Sequence, residues 1–542
     1  MIFRVIFAMA AACVALFSSP PTFAADTAED LLGEIVEAYG GAKALDAIRQ
    51  IEFDSAGYFI ARYQSRTTHE PYDRLPVRTF AALDYISEKG VWDNISTWPG
   101  ELNMGSRSIA NGDQSMTLNT ILKTYEEGSM QSFASMKSST AQWLTPMLVK
   151  LMASNSSEVA LGGKVEFRNI AYDTLRYRDH YVIYVNPKTR LINAIATTEG
   201  GMWDHTIDED ETVHVLRYYD GYVKTGGVWF PTRYNQFVNG VVTQDRAIYH
   251  LAINQPVNAY LKRPDGFEAA DTSGYGGEGH EIAVRKAGEG LYVTGNGETH
   301  VLYVELKDYF IAMEAGDFPS HAETAHNAMK PHMKGKPLKY IAPLHHHDDH
   351  AWATHYYARN GVTILTTPDK EGFVRKLLAR SWGEHGPVAN PDFEFIDGER
   401  LSLKDATNAF DIFVWPDAPH SENMVIGYHP QSKSIFTGDF YIGWGVAKGS
   451  GVRQGANFGA RALSRWIKER QQAGEIGDVE NYITVHGRAY TRKEMEEMLS
   501  IERTVTSLPE NEAWPTASWP DRYGLHDDTA QNPRRSKFHM GD

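Results

Sequence analysis

The stretch His345-His346-His347-Asp348-Asp349-His350 places four imidazoles and two carboxylates in six consecutive residues. It follows an apolar run, Tyr340–Pro343, that reads as a strand. Two readings compete. A His-rich tract on an exposed loop binds metals adventitiously. Alternatively, His345, His347, Asp349 and His350 are ligands at the spacing His-x-His-x-Asp-His. Residues i and i+2 of an extended chain face the same way, so His345 and His347 can grip one ion together. Asp349 and His350, at the opening of a helix that carries Trp352 and Tyr356, then turn toward a second. On this reading His346 and Asp348 face the other side, where they support the ligands or meet solvent.

The rest of the second half decides between the two. A predicted strand Ile412–Trp415 runs into Pro416-Asp417-Ala418-Pro419-His420, a strand Ile435–Thr437 into Gly438-Asp439, and a strand Tyr482–Val485 into His486-Gly487. Layered α/β folds collect their binding residues at strand ends. Any one of these residues alone is an ordinary cap or turn, but with the hexapeptide they complete a ligand set. Around them the sequence predicts strands at Glu281–Arg285, Gly290–Thr294, Val301–Leu306, Tyr309–Glu314, Val362–Thr366 and Met424–Tyr428, and a helix over Ala322–Met329. The short strands are expected to alternate with helices, as in a layered α/β arrangement.

In this order the motifs of residues 280–506 resemble the metallo-β-lactamase-fold metallohydrolases. The hairpin Leu302 to Glu314, with Glu314 and Asp317 ahead of the His cluster, is similar to that family's entry strands. The resemblance implies an αββα sandwich with a binuclear site at one edge. It implies that His345, His347 and His420 hold one metal, that Asp349, His350 and His486 hold the other, and that Asp439 bridges them. A bridging Asp without a Cys ligand resembles the hydroxyacylglutathione hydrolase and lactonase-like branch rather than the β-lactamases proper. The implied cofactors are two divalent ions, with zinc best suited to His and Asp ligands and iron or manganese compatible with them. The implied reaction is attack of a metal-bridged hydroxide on an ester, thioester, lactone or related bond of a small molecule, with Asp349 as the catalytic group that orients the hydroxide and takes its proton. Two other readings stay open. One is a mononuclear iron oxidoreductase of the same fold, with the iron on His345, His347, His420 or Asp439. The other is a non-catalytic protein that binds an apolar ligand and keeps its metals as structure.

Upstream the grammar differs. Thr27 and Asp30 open a helix through Leu31, Leu32, Ile35 and Val36, Gly40-Gly41 ends it, and a short helix follows through Leu45 and Ile48. From about Ile51 to Ile253 the pattern is period two, with hairpin signals at Asn186-Pro187 and Asn239-Gly240. Residues 26–264 are therefore expected to form a mostly antiparallel β domain with helices, in a two-domain α+β chain. The opening helix with Tyr39-Gly40-Gly41-Ala42-Lys43-Ala44-Leu45, and the later Gly227-Val228-Trp229-Phe230-Pro231, resemble periplasmic lipoprotein-carrier domains. That resemblance implies a curved sheet around helices, able in some relatives to present an apolar or acyl-bearing ligand. Residues 265–279, polar and Gly-rich, read as the linker, and residues 507–542 as an extended tail.

Residues 1–25 read as a signal peptide: Arg4, an apolar run from Val5 to Phe17, then Ala24-Ala25. The expectation is export across the inner membrane to the periplasm. Cys13, the one Cys, lies in this segment, so the remainder offers no thiolate and no disulfide. With 69 acidic and 53 basic residues the formal charge is −16, which disfavours nucleic acid as a partner. No run approaches the roughly 20 apolar residues of a membrane span. Neither a Gly-x-Ser-x-Gly elbow nor a phosphate-binding loop is present. The stretch Phe440 to Gly459, with Tyr441, Trp444, Lys448 and Arg453, reads either as a substrate loop or as a plain connection, and Arg488 and Tyr490 as caps of the final helix.

Overall fold

Strand Gln50–Phe59 pairs antiparallel with Leu75–Asp84 on one side and with Val241–Ile253 on the other, so the two ends of the first half meet in mid-sheet. The structure is a computed structural model that describes residues 27–178, 180–199, 213–270, 282–295, 299–382, 385–441 and 456–501. Among these residues fourteen strands form one sheet. Neighbouring strands run antiparallel, except that Glu268–Ala269 pairs parallel with Thr124–Glu127. The Asn239-Gly240 hairpin forms as expected, with both residues at positive φ (48° and 83°), the backbone that a two-residue turn of matching twist requires.

Helix Ala28–Tyr39 begins at Thr27, whose side chain accepts from the Asp30 N–H at 3.1 Å, and ends at Gly40 with φ 126°. Its buried residues Leu31, Leu32, Ile35 and Tyr39 join Phe53, Trp92, Ile183 and Tyr219 of the sheet in one core. The unbroken period-two reading from Ile51 to Ile253 is corrected here. Helices Phe133–Trp143 and Thr145–Ser154 interrupt it and bury Met136, Leu148, Val149 and Met152 in the same core. The second of them is buried on most sides, which erases the one-sided apolar stripe by which a helix is recognised.

The second half contains a seven-stranded and a six-stranded sheet. Leu302, Val304, Ile311 and Leu365 of the first pack against Phe410, Ile412, Phe436 and Ile483 of the second. Helices Pro319–Met333 and Thr354–Arg359 cover one outer face, and Phe458–Gln472 and Arg492–Ser500 the other. The expected alternation of strand and helix fails in the six-stranded sheet. Ala409–Trp415, Met424–His429 and Ser434–Thr437 follow one another as an antiparallel meander. Their connections are too short for a helical crossover, which is what parallel neighbours demand.

The halves touch through a small aromatic cluster in which Tyr63 packs on Trp352 edge to face at 5.7 Å, with Leu377 and Trp382 alongside. Of the Gly-rich stretch Asp265–Gly279, residues 265–270 are described, and they bury Phe267 against the first sheet. Residues 1–25, 271–279 and 507–542, which hold the expected export segment, most of the linker and the tail, lie outside the described residues. Among the described residues no helix is long and apolar enough to cross a membrane.

The first sheet also holds a cross-strand ion pair. Asp93 and Arg107 are register partners, and Arg107 donates to both carboxylate oxygens, Nε to Oδ1 at 2.6 Å and Nη2 to Oδ2 at 2.7 Å, with both residues buried. Removing one partner strands a charge in the interior. Asp93→Ala is expected to lower stability by about 3–5 kcal/mol, measured by denaturant unfolding against Lys433→Ala, which breaks an ion pair exposed on both sides.

Candidate metal centre

Strand Leu338–Ala342 has parallel neighbours on both sides, Phe310–Met313 and Thr363–Thr366, which explains its apolar run and aims its C-terminal end at one edge of the sandwich. The chain emerges there as His345-His346-His347. His347 is extended (φ −61°, ψ 151°) and stands ahead of the short helix Asp348–Ala351. The expected helix from His350 through Tyr356 is thus two pieces, Asp348–Ala351 and Thr354–Arg359. Ser434–Thr437 and Asn481–Thr484 run parallel, so Asp439 and His486 leave the six-stranded sheet at the same edge. His420 lies in the connection after Ala409–Trp415. All seven residues singled out by motif meet at this edge, in two groups of potential ligands. His345, His347 and His420 form one. Asp349, His350, Asp439 and His486 form the other. Within each group the ligating atoms lie within 4.8 Å of one another.

In the first group, each outer nitrogen of two imidazoles is tied to a carbonyl. His347 donates from Nε2 to the Ser65 carbonyl at 2.9 Å, and His420 from Nδ1 to the Pro99 carbonyl at 2.8 Å. A carbonyl only accepts, so the protons sit on those outer atoms. Burial, reinforced by neighbouring imidazoles, pushes His345 and His347 well below the usual histidine range, and burial lowers His420 despite Asp439. The three rings are therefore neutral at pH 7. The His347 Nδ1 and His420 Nε2 lone pairs then face each other across 3.0 Å, and both ring nitrogens of His345 are buried without a hydrogen-bond partner. Buried polar atoms in this state need an electrophile, and a divalent cation fits.

The second group is charged. His350 donates from Nδ1 to Glu314 Oε2 at 2.8 Å, and both side chains are fully buried. Glu314 is held at φ 78°, a backbone conformation costly for a non-glycine residue, where its other oxygen accepts from the Gly316 N–H at 2.8 Å. His350 Nε2 points inward, 3.2 Å from Asp439 Oδ1, 3.5 Å from Asp349 Oδ2 and 3.3 Å from His486 Nε2. Asp439 Oδ2 lies 3.6 Å from His420 Nε2, so its two oxygens face the two groups. Burial alone would lower His350, but Asp349, Glu314 and Asp439 outweigh it and hold the ring well above the usual range. His486 is likewise raised by Asp439 and Asp349 against the effect of burial. Burial raises Asp439, and His350, His486 and His420 overcome it and bring the carboxyl to about 2.

The neighbours of these potential ligands resolve differently. His346 and Asp348 do not meet solvent: both are buried. His346 donates from Nε2 to the Ser65 carbonyl at 2.8 Å and has Ser421 Oγ and Lys370 Nζ at Nδ1, at 3.0 and 3.2 Å. Arg488 pairs with Glu494 at 2.9 Å and stacks on Tyr490, so it serves the final helix. Trp444, Lys448 and Arg453 lie outside the described residues. Sequence reading missed Lys370, Ser421, Gln64, Ser65 and Pro99. None carries a motif, and the last three come from the other half of the chain.

Metal ligation takes an imidazole lone pair, so it must displace the proton that Asp349, Glu314 and Asp439 keep on His350. Adding a divalent cation to metal-free protein at pH 7 is expected to release about one to two protons per chain from this group, from His350 and from His486. A pH indicator in weak buffer reads this release, and a cation that binds with none would contradict the charge assignment.

No protein-family model matches the chain, and no curated protein matches it. Among solved structures, the chain is similar to a metallo-β-lactamase from Pontibacter korlensis at 18% identity, over 40% of this chain and 97% of that one, with a TM-score of 0.29. It is similar to the DIM-1 metallo-β-lactamase at 17% identity, over 41% and 96%, TM-score 0.30. A metallo-β-lactamase from Erythrobacter litoralis gives 15% identity, over 40% and 95%, TM-score 0.30.

Proposed function

We propose that this protein is a metal-dependent hydrolase with a binuclear centre. His345, His347 and His420 would hold one divalent cation, Asp349, His350 and His486 the other, and Asp439 would lie between them. The observation that carries this reading is the pair of adjacent groups of potential ligands, one neutral with unsatisfied inward nitrogens and one of charged carboxylates and imidazoles, with an oxygen of Asp439 facing each. A structural zinc site normally closes with four ligands, whereas seven potential ligands at one strand edge suit a pair of ions with positions left for substrate.

Bound divalent cations would supply a water acidified to near neutrality and a Lewis acid for the oxygen of the scissile group. Nitrogen and carboxylate donors without thiolate suit zinc, and also admit iron or manganese. Asp349 is the best placed of the chain's own groups to handle a proton. Its side chain keeps 22% exposure while the ring of His350 has none, and its Oδ2 lies 3.4 Å from His486 Nε2. It would take a proton from the attacking water and return it to the leaving group. Esters, thioesters and lactones are the substrates such a site would serve. On the same reading residues 280–506 are the catalytic domain and residues 26–264 a carrier-like domain that presents an apolar or acyl-bearing substrate.

Elemental analysis of the purified protein tests the centre directly. About two zinc per chain, reduced in His347→Ala, are expected, and about one iron or no metal after reconstitution would overturn it. Asp349→Ala is expected to keep the far-ultraviolet circular dichroism of the parent and to lose about 100-fold or more in turnover on a panel of esters, thioesters and lactones. Unchanged turnover would remove Asp349 from the proton path.

A further inference from the structure

We infer that the first half of the chain is a working part of the metal centre, with Gln64 as a positioning residue for Asp349, and with the Ser65 and Pro99 carbonyls positioning His347 and His420. The inference rests on the metal reading above and goes beyond it, because no ligand motif reaches these residues.

The short helix Arg62–Gln64 and Ser65 follow the central strand Gln50–Phe59, and Pro99 follows strand Lys89–Trp98. Both connections end on the outer atoms of the ligand residues. The Ser65 carbonyl accepts from His346 Nε2 at 2.8 Å and from His347 Nε2 at 2.9 Å. The Pro99 carbonyl accepts from His420 Nδ1 at 2.8 Å. The Gln64 amide donates to Asp348 Oδ1 at 2.6 Å and to Asp349 Oδ1 at 2.7 Å. Because Oδ1 of Asp349 is taken by that amide, Oδ2 is the oxygen left facing His350 and His486. An amide is well matched to this position, because it offers two N–H groups to two carboxylates and adds no charge to compete with a cation.

These contacts are buried and backed by further hydrogen bonds, which separates them from incidental packing. Gln64 and Ser65 are buried. Ser65 Oγ accepts from the Asp73 N–H at 2.9 Å, and Asp73 accepts in turn from the Arg66 N–H at 2.8 Å. The Arg66 carbonyl accepts from the Glu422 N–H at 3.0 Å, and the Gly100 carbonyl from the Gly459 N–H at 3.0 Å, so both connections are stitched to the second half by backbone. Tyr63 takes a hydrogen bond from Arg380 Nη2 at 2.8 Å. Partners behind metal ligands fix ring tautomer and carboxylate orientation, and their loss typically costs 10–100-fold in affinity.

The test uses the full chain with Gln64→Met, which keeps the length but removes both donors, and Gln64→Ala. Cobalt or zinc affinity is measured by chelator competition for each metal equivalent, with the cobalt absorption spectrum as a second readout. The expected result is one equivalent bound about 10–100-fold more weakly, with an altered spectrum. The other equivalent, on His345, His347 and His420, should be unchanged. Both equivalents bound as in the parent would overturn the inference. So would an equal weakening of both together with a lowered unfolding midpoint, because that marks a role in folding alone. Absence of metal from the parent protein would instead remove the metal reading, and this inference with it, before any variant is made.

Discussion

The structure depends on the orientation of buried imidazoles. A histidine excluded from water is costly when its ring nitrogens are unused, and which nitrogen carries the proton follows from what stands behind it. Behind His347 and His420 stand carbonyl oxygens, and behind His350 stands the carboxylate of Glu314. Each partner turns a lone pair or a proton inward. The inward atoms then form one neutral and one charged cluster, and Asp439 faces both. The strained backbone at Glu314 and the buried amide of Gln64 are costs the fold carries to keep that orientation.

The scaffold explains how so many polar groups are gathered without breaking a core. Two sheets share an apolar interior, and the parallel pairs at Leu338–Ala342 and at Ser434–Thr437 direct chain exits to a single edge. Parallel strands buried over most of their length leave little room for ionisable side chains between the sheets. The chemistry is therefore pushed to their ends. Helices on the outer faces close the sandwich and take no part in the ligand set, apart from the short turn Asp348–Ala351 that swings Asp349 and His350 inward.

The first half approaches this edge in two ways. Tyr63 packs in an aromatic cluster with Trp352 and Trp382, which holds the halves together by apolar burial. Beside it, Gln64, Ser65 and Pro99 meet the site through polar atoms alone. Apolar contact tolerates small shifts, whereas hydrogen bonds to the potential ligands do not, so the cluster clamps and the polar atoms align. The large antiparallel sheet is thereby tied to the chemistry of the other half rather than merely joined to it by chain.

The seven residues that meet at the site can be named from sequence because each lies just past an apolar strand-like run, and strand ends are a local property. The Asn239-Gly240 hairpin and the Thr27 cap are legible for the same reason: each depends on residues next to one another in the chain. The helices Phe133–Trp143 and Thr145–Ser154 are not: the first, rich in Ser and Thr, buries only Met136, Thr140 and Ala141 and so carries little apolar stripe, and burial on most sides of the second hides its helical period. The meander from Ala409 to Thr437 reads as alternating with helices because strand direction leaves no mark on a short apolar run. By itself, then, the sequence determined which side chains are chemically able to serve as metal ligands and that they follow strand-like runs. Only the tertiary structure decided which nitrogen of each ring faces inward, which oxygen of Asp349 faces His350 and His486, and that Gln64, Ser65 and Pro99 set both. The physical reason is that hydrogen-bond partners some 280 residues apart in the chain, as Gln64 and Asp349 are, come together only when two separately patterned sheets are packed.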